Sequence, residues 1–201
     1  MGGFFIRIKM SWILASASPR RKELLAELIK EFEVIPSNAD ESVKGKISAK
    51  ALVETLASRK AEEVALREES AGKIVLGSDT VVVFGKEVLG KPKDEEDAFR
   101  MLKMLSGEKH EVWTGVCVAS VQNGKYRAKV KAEKTSVYFN DLSDEWIWKY
   151  IRSGSPMDKA GAYGIQDGGL VKKISGSYSN VVGLPLELCE TLLLWADKKL
   201  Q

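Results

Sequence analysis

The stretch ILASASPRRKELLAEL, residues 13–28, indicates a buried strand, a tight turn and an amphipathic helix. Ser18 is suited to cap the helix, and Pro19 fits its first position. Arg20 and Arg21 follow, although a first helical turn favours acidic residues by about 0.3–1 kcal/mol per charge. Either both arginines extend into water, or they join the backbone N–H groups in binding an anion such as phosphate. The small residues of the turn would let that anion approach the backbone.

Beyond this stretch, apolar residues recur first at helical and then at strand spacing. A short strand is expected at 32–36 and a long helix at about Ser48–Glu69. The run KIVLGSDTVVVF, residues 73–84, is nearly all apolar, as in strands that are covered on both faces. The apolar face of the long helix comprises Val53, Leu56, Ala57, Ala61 and Val64.

The second half of the chain contains a strong hairpin signal. Two strands, within HEVWTGVCVASV and KVKAEKTSVYF, are joined through Asn123-Gly124. Further helices are predicted at 93–107, 143–154 and 186–198. Because strands alternate with helices and include an antiparallel hairpin, the sequence predicts an α/β fold with a mixed sheet flanked by helices.

Composition restricts the class of protein. Of the 201 residues, 44% are hydrophobic and 29% are charged, which suits a chain with a folded core. The net charge of +3 does not by itself indicate nucleic-acid binding. Cys117 and Cys189 lie among apolar residues and are expected to be buried free thiols. Because neither a secretory signal nor a membrane-length apolar stretch is found, we expect a cytoplasmic protein with no membrane association.

Two charged residues occupy positions where charge is costly. Lys60 lies on the apolar face of the long helix, so it either extends its ammonium group to the surface or reaches a polar cavity. Asp79 interrupts an apolar strand, and a buried carboxylate needs a cation, a metal or several donors. A structural Asp at a strand bulge is one explanation. Catalysis or metal binding at the strand end is the one we favour, because open sheets bind ligands there.

Other residues complete a candidate polyphosphate site. Thr80 supplies a hydroxyl group beside Asp79, Lys91 is held by Pro92 in a rigid turn, and Glu41 provides a second carboxylate. The sole histidine, His110, has no nucleophile signature nearby, and the phosphate-loop and dinucleotide glycine motifs are absent. Arginines, lysines and one or two carboxylates suit a polyphosphate substrate with a divalent metal cation.

Motifs along most of the chain, from about residue 13 to 188, resemble those of the Maf family of nucleoside triphosphate pyrophosphatases. The resemblance implies hydrolysis between the α and β phosphates, with Mg²⁺ as the expected metal and Mn²⁺ as an alternative. It also implies a strongly twisted sheet and two lobes around a central cleft, as in inosine triphosphate pyrophosphatases. The matching stretches are LASASPRRKELL, ADES, LASRKAEEVA, GSDTVV, VLGKPKDEEDAFRMLKMLSG, HEVWTGV, DKAGAYGIQ and GSYSNVVGLPL.

The resemblance also assigns roles to individual residues. Asp79 would accept a proton, and Glu41 would assist the metal or the water, so both are the expected metal ligands. The pattern of Arg21, Thr80 and Gln166 is similar to that of the dTTP/UTP branch, whereas a branch acting on 7-methylguanosine triphosphate would carry Glu in place of Gln166. An amide can match both the O4 acceptor and the N3–H donor of uracil or thymine. The residues expected to bind the substrate are Ser18, Arg20, Arg21, Lys60, Thr80, Lys91 and Gln166.

Two departures from the family pattern are visible, and two other functions are alternatives. Residues 1–10 read as an N-terminal extension with Met10 as an alternative start, so 11–201 would form a single domain. Asp167 places an acid where the related pattern is more neutral. The alternatives are a nucleic-acid-binding or cell-division regulatory protein without hydrolysis, and a relative acting on purine triphosphates. The predicted partner is a nucleoside triphosphate, with no stable nucleic-acid complex, and a homodimer is left open.

Overall fold

The structure is a computed structural model that describes residues 10–200. Of the predicted N-terminal extension only Met10 is among them, so the rest of that extension lies outside the described residues. The strands are β1 (Trp12–Leu14), β2 (Glu33–Val34), β3 (Ile74–Phe84), β4 (Glu87–Leu89), β5 (Lys109–Gln122), β6 (Lys125–Phe139) and β7 (Val171–Ser175). The helices are α1 (Pro19–Ala26), α2 (Ala49–Ala65), α3 (Glu95–Leu105), α4 (Asp144–Arg152), α5 (Tyr178–Val182) and α6 (Leu186–Lys199).

The strands form one mixed sheet, which confirms the predicted fold class. Their order is β2-β1-β3-β5-β6-β7, and β4 pairs with β3. Strand β1 runs parallel to β2 and β3, whereas β3 with β4 and β6 with β7 are antiparallel. Asn123 and Gly124 join β5 to β6 with φ values of 51° and 71°, as a two-residue hairpin turn with left-handed residues requires. No helix within residues 10–200 is long and apolar enough to cross a lipid bilayer.

The described residues divide into two compact units. The first unit comprises 10–79, 114–133 and 183–200, and the second comprises 80–113 and 134–182. Strands β3, β5 and β6 each contribute residues to both units. The single domain and the cleft that the family resemblance implies both stay predictions.

In the first unit, α2 lies directly against the sheet. All five residues of its predicted apolar face are buried. Gly77 on β3 leaves no room for a side chain, because a Cβ there would lie 2.5 Å from the carbonyl oxygen of Ala57 and 2.6 Å from the nitrogen of Ala61. Gly115 on β5 is tighter still, with 2.2 Å to the carbonyl oxygen of Val53. The two glycines therefore fix how closely α2 approaches the strands.

Helix α2 begins where the sequence predicts, but it ends earlier than predicted. The helix begins near Ser48 as predicted, and the Ser48 side chain caps it by accepting a hydrogen bond from the N–H of Ala51. The C-terminal end falls at Ala65 and not near Glu69, because Arg67 has extended backbone and a separate 3₁₀ turn follows at Glu68–Ser70. Between Ala65 and Glu69 the chain has only charged residues and the exposed Leu66, so the helix has no further apolar face to bury there.

The second unit has its own core, formed where α3 and α4 pack with strand residues. Three elements there were not predicted from the sequence, namely β4, β7 and α5. Cys117 and Cys189, both in the first unit, are free and buried, which confirms that prediction. The buried core of the second unit includes Leu89, Ala98, Met101, Leu102, Leu105, Val112, Val137, Ile147 and Ile151.

His110 lies inside this second core and not at a catalytic position. Its Nε2 is 2.8 Å from the hydroxyl oxygen of Tyr163, and its ring meets Phe139 edge to face with centroids 4.9 Å apart. Burial lowers the pKa of His110 from its ordinary value of 6.5 to about 4. The imidazole is therefore neutral in the folded protein near pH 7.

We expect this histidine to make the folded state sensitive to mild acid. Between pH 6.5 and 4 the unfolded chain binds a proton at His110 that the folded chain excludes, so the free energy of unfolding falls as the pH falls. The His110 contribution reaches about 3 kcal/mol at pH 4. Denaturant unfolding of wild type and His110→Gln at several pH values measures the His110 contribution to the free energy of unfolding. The titration of carboxylates affects both proteins alike and therefore cancels in the comparison. Parallel pH curves for the two proteins would contradict the prediction.

Candidate active site

The start of α1 is built around hydrogen bonds of small side chains. Ser18 caps the helix as predicted, since its hydroxyl accepts a hydrogen bond from the N–H of Arg21 at 3.4 Å. The N–H of Ser18 donates to the hydroxyl of Ser16 at 3.2 Å. These two hydrogen bonds order the turn that precedes α1, at the end of the helix where an anion can bind.

Arg21 turns towards the protein. Its Nε donates to the carbonyl oxygen of Gly183 at 2.9 Å, and its Nη1 donates to the hydroxyl of Ser16 at 3.3 Å. Burial lowers the pKa of Arg21, the negative charge of Asp79 opposes this effect, and the positive charge of Arg20 adds to it. Arg21 remains a cation at neutral pH. The first turn of α1 thus carries two positive charges, and that of Arg21 interacts with the carboxylate of Asp79.

Lys60 joins the two candidate carboxylates. Its Nζ lies 2.6 Å from Oδ1 of Asp79 and 2.7 Å from Oε1 of Glu41. The side chains of Lys60 and Asp79 are only 13% and 11% exposed, whereas that of Glu41 is 64% exposed. The carboxylate of Asp79 is thus buried with a cation, as its position in an apolar strand demands. Of the two explanations for Lys60, the structure favours a packed stem with the ammonium group on polar partners.

The backbone of β3 and Gly183 connect these groups. Ser78 precedes Asp79 on β3, and its hydroxyl donates to the carbonyl oxygen of Gly183 at 3.2 Å. The same oxygen accepts the hydrogen bond from Arg21. Gly77 lets α2 approach β3 closely, which brings Lys60 to Asp79. Sequence reasoning did not find the role of Gly183, because a backbone carbonyl has no side-chain signature.

The structure brings Ser18, Arg21, Glu41, Lys60 and Asp79 together within the first unit. Arg20 shares the first turn of α1. The roles of these residues in catalysis and in binding remain predictions. Their geometry is that of a basic and acidic cluster in which a buried aspartate is held by one lysine.

Thr80, Lys91 and Gln166 belong to the second unit. Thr80 continues β3 directly after Asp79. Lys91 is exposed in the turn that follows β4, where the carbonyl oxygen of the preceding Gly90 accepts a hydrogen bond from the N–H of Gly161 at 2.9 Å. Gln166 is exposed in the 3₁₀ turn Ile165–Asp167.

Asp167, the departure from the family pattern, stabilises the turn that carries Gln166. Its Oδ2 accepts hydrogen bonds from the hydroxyl of Tyr150 at 2.5 Å and from the hydroxyl of Ser155 at 2.7 Å. The N–H of Gly164 donates to the oxygen of the same Tyr150 hydroxyl at 3.1 Å. The carboxylate therefore holds the turn to Tyr150 on α4 and to Ser155.

The carboxylates of Glu41 and Asp79 suit a magnesium site that a substrate would complete. Within residues 10–200, no group of three or more His, Cys, Asp or Glu side chains is placed to hold a metal by itself. Mg²⁺ commonly takes only one or two carboxylates and completes its octahedron with water and substrate phosphates. Two carboxylates that meet at one ammonium group fit this donor set.

Comparisons with known proteins identify the family of the chain. A family model described as Maf-like protein matches residues 11–195. A protein of Thermococcus gammatolerans named dTTP/UTP pyrophosphatase is 51% identical over 178 residues, which cover 88% of this chain and 91% of the relative. Proteins of the same name from Thermococcus kodakarensis and Clostridium tetani are 50% and 46% identical, covering 94% and 92% of this chain and 95% and 96% of the relatives.

A solved structure shares the fold. The Staphylococcus aureus Ham1 protein matches with a TM-score of 0.53 at 14% sequence identity, covering 92% of this chain and 98% of that one. At this identity the match concerns the fold alone.

Proposed function

The chain belongs to the Maf family, and from that premise we propose that it hydrolyses dTTP and UTP to the monophosphate and pyrophosphate. The observation that carries this proposal is the buried Lys60–Asp79 ion pair in the same unit as the arginine-bearing start of α1. Relatives that cover nearly the whole chain at about half identity carry this activity in their names.

The proposed phosphate contacts follow from charge and donor geometry. The N-terminal N–H groups of α1 together with Ser18, Arg20 and Arg21 would bind phosphate oxygens, because a helix start and guanidinium groups both favour anions. Lys60 would share its ammonium group between the carboxylates and the phosphate chain. Lys91 is proposed to bind a phosphate as well.

Asp79 is proposed to accept a proton from the attacking water. The water oxygen bonds to the α-phosphorus, the bond from that phosphorus to the α–β bridging oxygen breaks, and pyrophosphate leaves with the bridging oxygen. Lys60 holds the Asp79 carboxylate in one orientation at 2.6 Å, which is the positioning that general-base catalysis requires. Glu41 is proposed to assist in orienting the water or the metal.

A divalent metal, Mg²⁺ or alternatively Mn²⁺, is part of the proposal. Glu41 and Asp79 would hold it, together with substrate phosphate oxygens. When bound, the ion would neutralise charge on the phosphate oxygens. We also propose a cytoplasmic location, where nucleoside triphosphates are available. No stable nucleic-acid complex is proposed, and a homodimer remains open.

The test is a panel of dTTP, UTP, CTP and GTP with identification of the products. The proposal expects pyrophosphate from dTTP and UTP in the presence of Mg²⁺. Release of orthophosphate, or preferential turnover of GTP, would contradict it. Salt-sensitive binding of oligonucleotides without any triphosphate hydrolysis would instead support the nucleic-acid-binding alternative.

Gln166→Glu should change the choice of base. A carboxylate cannot donate to O4 of uracil or thymine, and it accepts from the donor-rich edge of guanine, so buried polar groups of the pyrimidine would lose a partner. We expect the ratio of kcat/KM for dTTP to that for GTP to fall about 10-fold or more. Gln166→Ala is the control, since it removes the amide without favouring guanine. An unchanged ratio in Gln166→Glu would exclude Gln166 as the residue that reads the base.

A further inference from the structure

The beginning of the loop that carries Glu41 is held by an acid near the end of α2 and a base just beyond that end. Glu63 Oε2 accepts hydrogen bonds from the hydroxyl of Ser37 at 2.9 Å and from the N–H of Asn38 at 3.0 Å. Arg67 Nη2 donates to both carboxylate oxygens of Glu63 and to the carbonyl oxygen of Pro36 at 3.2 Å. Glu63 on α2, together with Arg67 just beyond the end of that helix, therefore supports the beginning of the loop.

Arg59 lies one helical turn before Glu63 on α2 and binds the backbone on either side of Glu41. Its Nη1 donates to the carbonyl oxygens of Asp40 at 3.0 Å and of Ser42 at 2.7 Å. These are the two residues that flank Glu41. The carboxylate of Asp40 in turn accepts hydrogen bonds from the N–H of Ser42 at 2.8 Å and from its hydroxyl at 2.6 Å. One guanidinium nitrogen thus bridges the backbone on both sides of Glu41.

Glu41 needs such a restraint because burial does not provide one. Its side chain is 64% exposed, and its carboxylate meets the ammonium group of Lys60 at 2.7 Å. An exposed ion pair of this kind contributes little on its own, about 0–1 kcal/mol, because ordering two flexible side chains opposes it. Lys60 follows Arg59 directly on α2. Neighbouring residues of one helix therefore hold the side chain and the backbone of Glu41.

We infer that Arg59 is a positioning residue, which acts through Glu41 by holding the two carbonyl groups beside it. The inference rests on the proposed function, because Arg59 can affect catalysis through Glu41 only if Glu41 takes part in hydrolysis. Arg59 itself is not expected to touch the substrate. Its loss should therefore lower kcat for dTTP and leave KM nearly unchanged.

A double-mutant cycle tests this mechanism. Arg59→Met keeps an unbranched apolar stem and removes the guanidinium, and we expect kcat to fall about 10-fold, as for a displaced catalytic group. In a Glu41→Gln background the same change should lower kcat by less than about 2-fold, because the group that Arg59 positions is already lost. Arg127→Met is the matched control, since Arg127 also donates to a backbone carbonyl, that of Lys199 at 3.1 Å. Its kcat should equal that of wild type.

Hydrogen exchange of the ligand-free protein provides a readout besides activity. Arg59→Met should speed exchange of the amides at 38–43, and Arg127→Met should leave them unchanged. Unaltered exchange in Arg59→Met, or equal losses of kcat in the wild-type and Glu41→Gln backgrounds, would overturn the inference. If Glu41→Gln alone keeps full kcat while pyrophosphate is still released from dTTP, the inference fails and the proposed function stands. If wild type releases no pyrophosphate, the proposed function fails, and the inference fails with it.

Discussion

Replacing Asp79 with asparagine is expected to lower kcat for dTTP by about 10²–10⁴-fold, the usual contribution of a general base. Asparagine has nearly the same shape as aspartate, but its amide does not accept a proton from water at neutral pH. Lys60 keeps its contact with Glu41 at 2.7 Å, so the variant does not bury an unpaired ammonium group. The protein should therefore fold. Initial rates of pyrophosphate release from dTTP measure the effect, and circular dichroism checks the fold.

Asp97→Asn is the matched control for this substitution. Asp97 on α3 accepts hydrogen bonds from the N–H of Lys93 at 3.2 Å and from Nε of Arg100 at 3.0 Å, so it is also a hydrogen-bonded carboxylate. It has no role in the proposed chemistry, and its asparagine variant should keep the wild-type rate. A folded Asp79→Asn variant with a rate close to that of wild type would remove Asp79 from the mechanism.

Gly77→Ala is expected to lower the free energy of unfolding by about 3 kcal/mol, near the upper end of the range for an overpacked core. The added Cβ would lie 2.5 Å and 2.6 Å from backbone atoms of α2, and a backbone cannot yield as a flexible side chain can. Helix α2 must shift, and Lys60 must shift with it, so kcat for dTTP should fall as well. Urea unfolding and steady-state kinetics measure the two effects.

Gly90→Ala provides the comparison for stability. No atom lies within 4 Å of a Cβ at Gly90, so this variant reports the effect of losing a glycine without a clash. Gly115→Ala should behave like Gly77→Ala, because its Cβ would lie 2.2 Å from the carbonyl oxygen of Val53. A Gly77→Ala protein as stable as wild type would show that α2 is less tightly seated than the distances indicate.

Features that depend on neighbouring residues were predicted from the sequence. Ser18 caps α1, Asn123-Gly124 forms the hairpin turn, and the apolar face of α2 is buried. Each follows from a rule that acts over a few residues. Strand β7 was missed because VKKIS is neither alternating nor apolar, and its two lysines are exposed. Its strand state depends on pairing with β6, which lies far away along the chain.

The candidate site likewise combines residues that local sequence patterns predict with residues whose roles depend on distant contacts. Lys60 and Asp79 stood out in the sequence because each places charge among apolar residues, and the structure brings them to 2.6 Å. The contribution of Gly183 was not predictable, because its carbonyl oxygen binds Arg21 and Ser78 across more than a hundred residues. Arg59 reads as an ordinary exposed helix residue until the carbonyl groups it binds are known. A contact to a backbone atom cannot be predicted from the pattern of side chains in the sequence.

The Gly183 carbonyl has a consequence for how the protein is made. During translation, Arg21 and Ser78 leave the ribosome long before the peptide group that both of them bind. The first unit, which holds most of the candidate site, also needs the segment that begins at Gly183 to be complete. We therefore expect a nascent chain to be inactive towards triphosphates until the segment that begins at Gly183 has been synthesised and can fold with the earlier parts of the first unit.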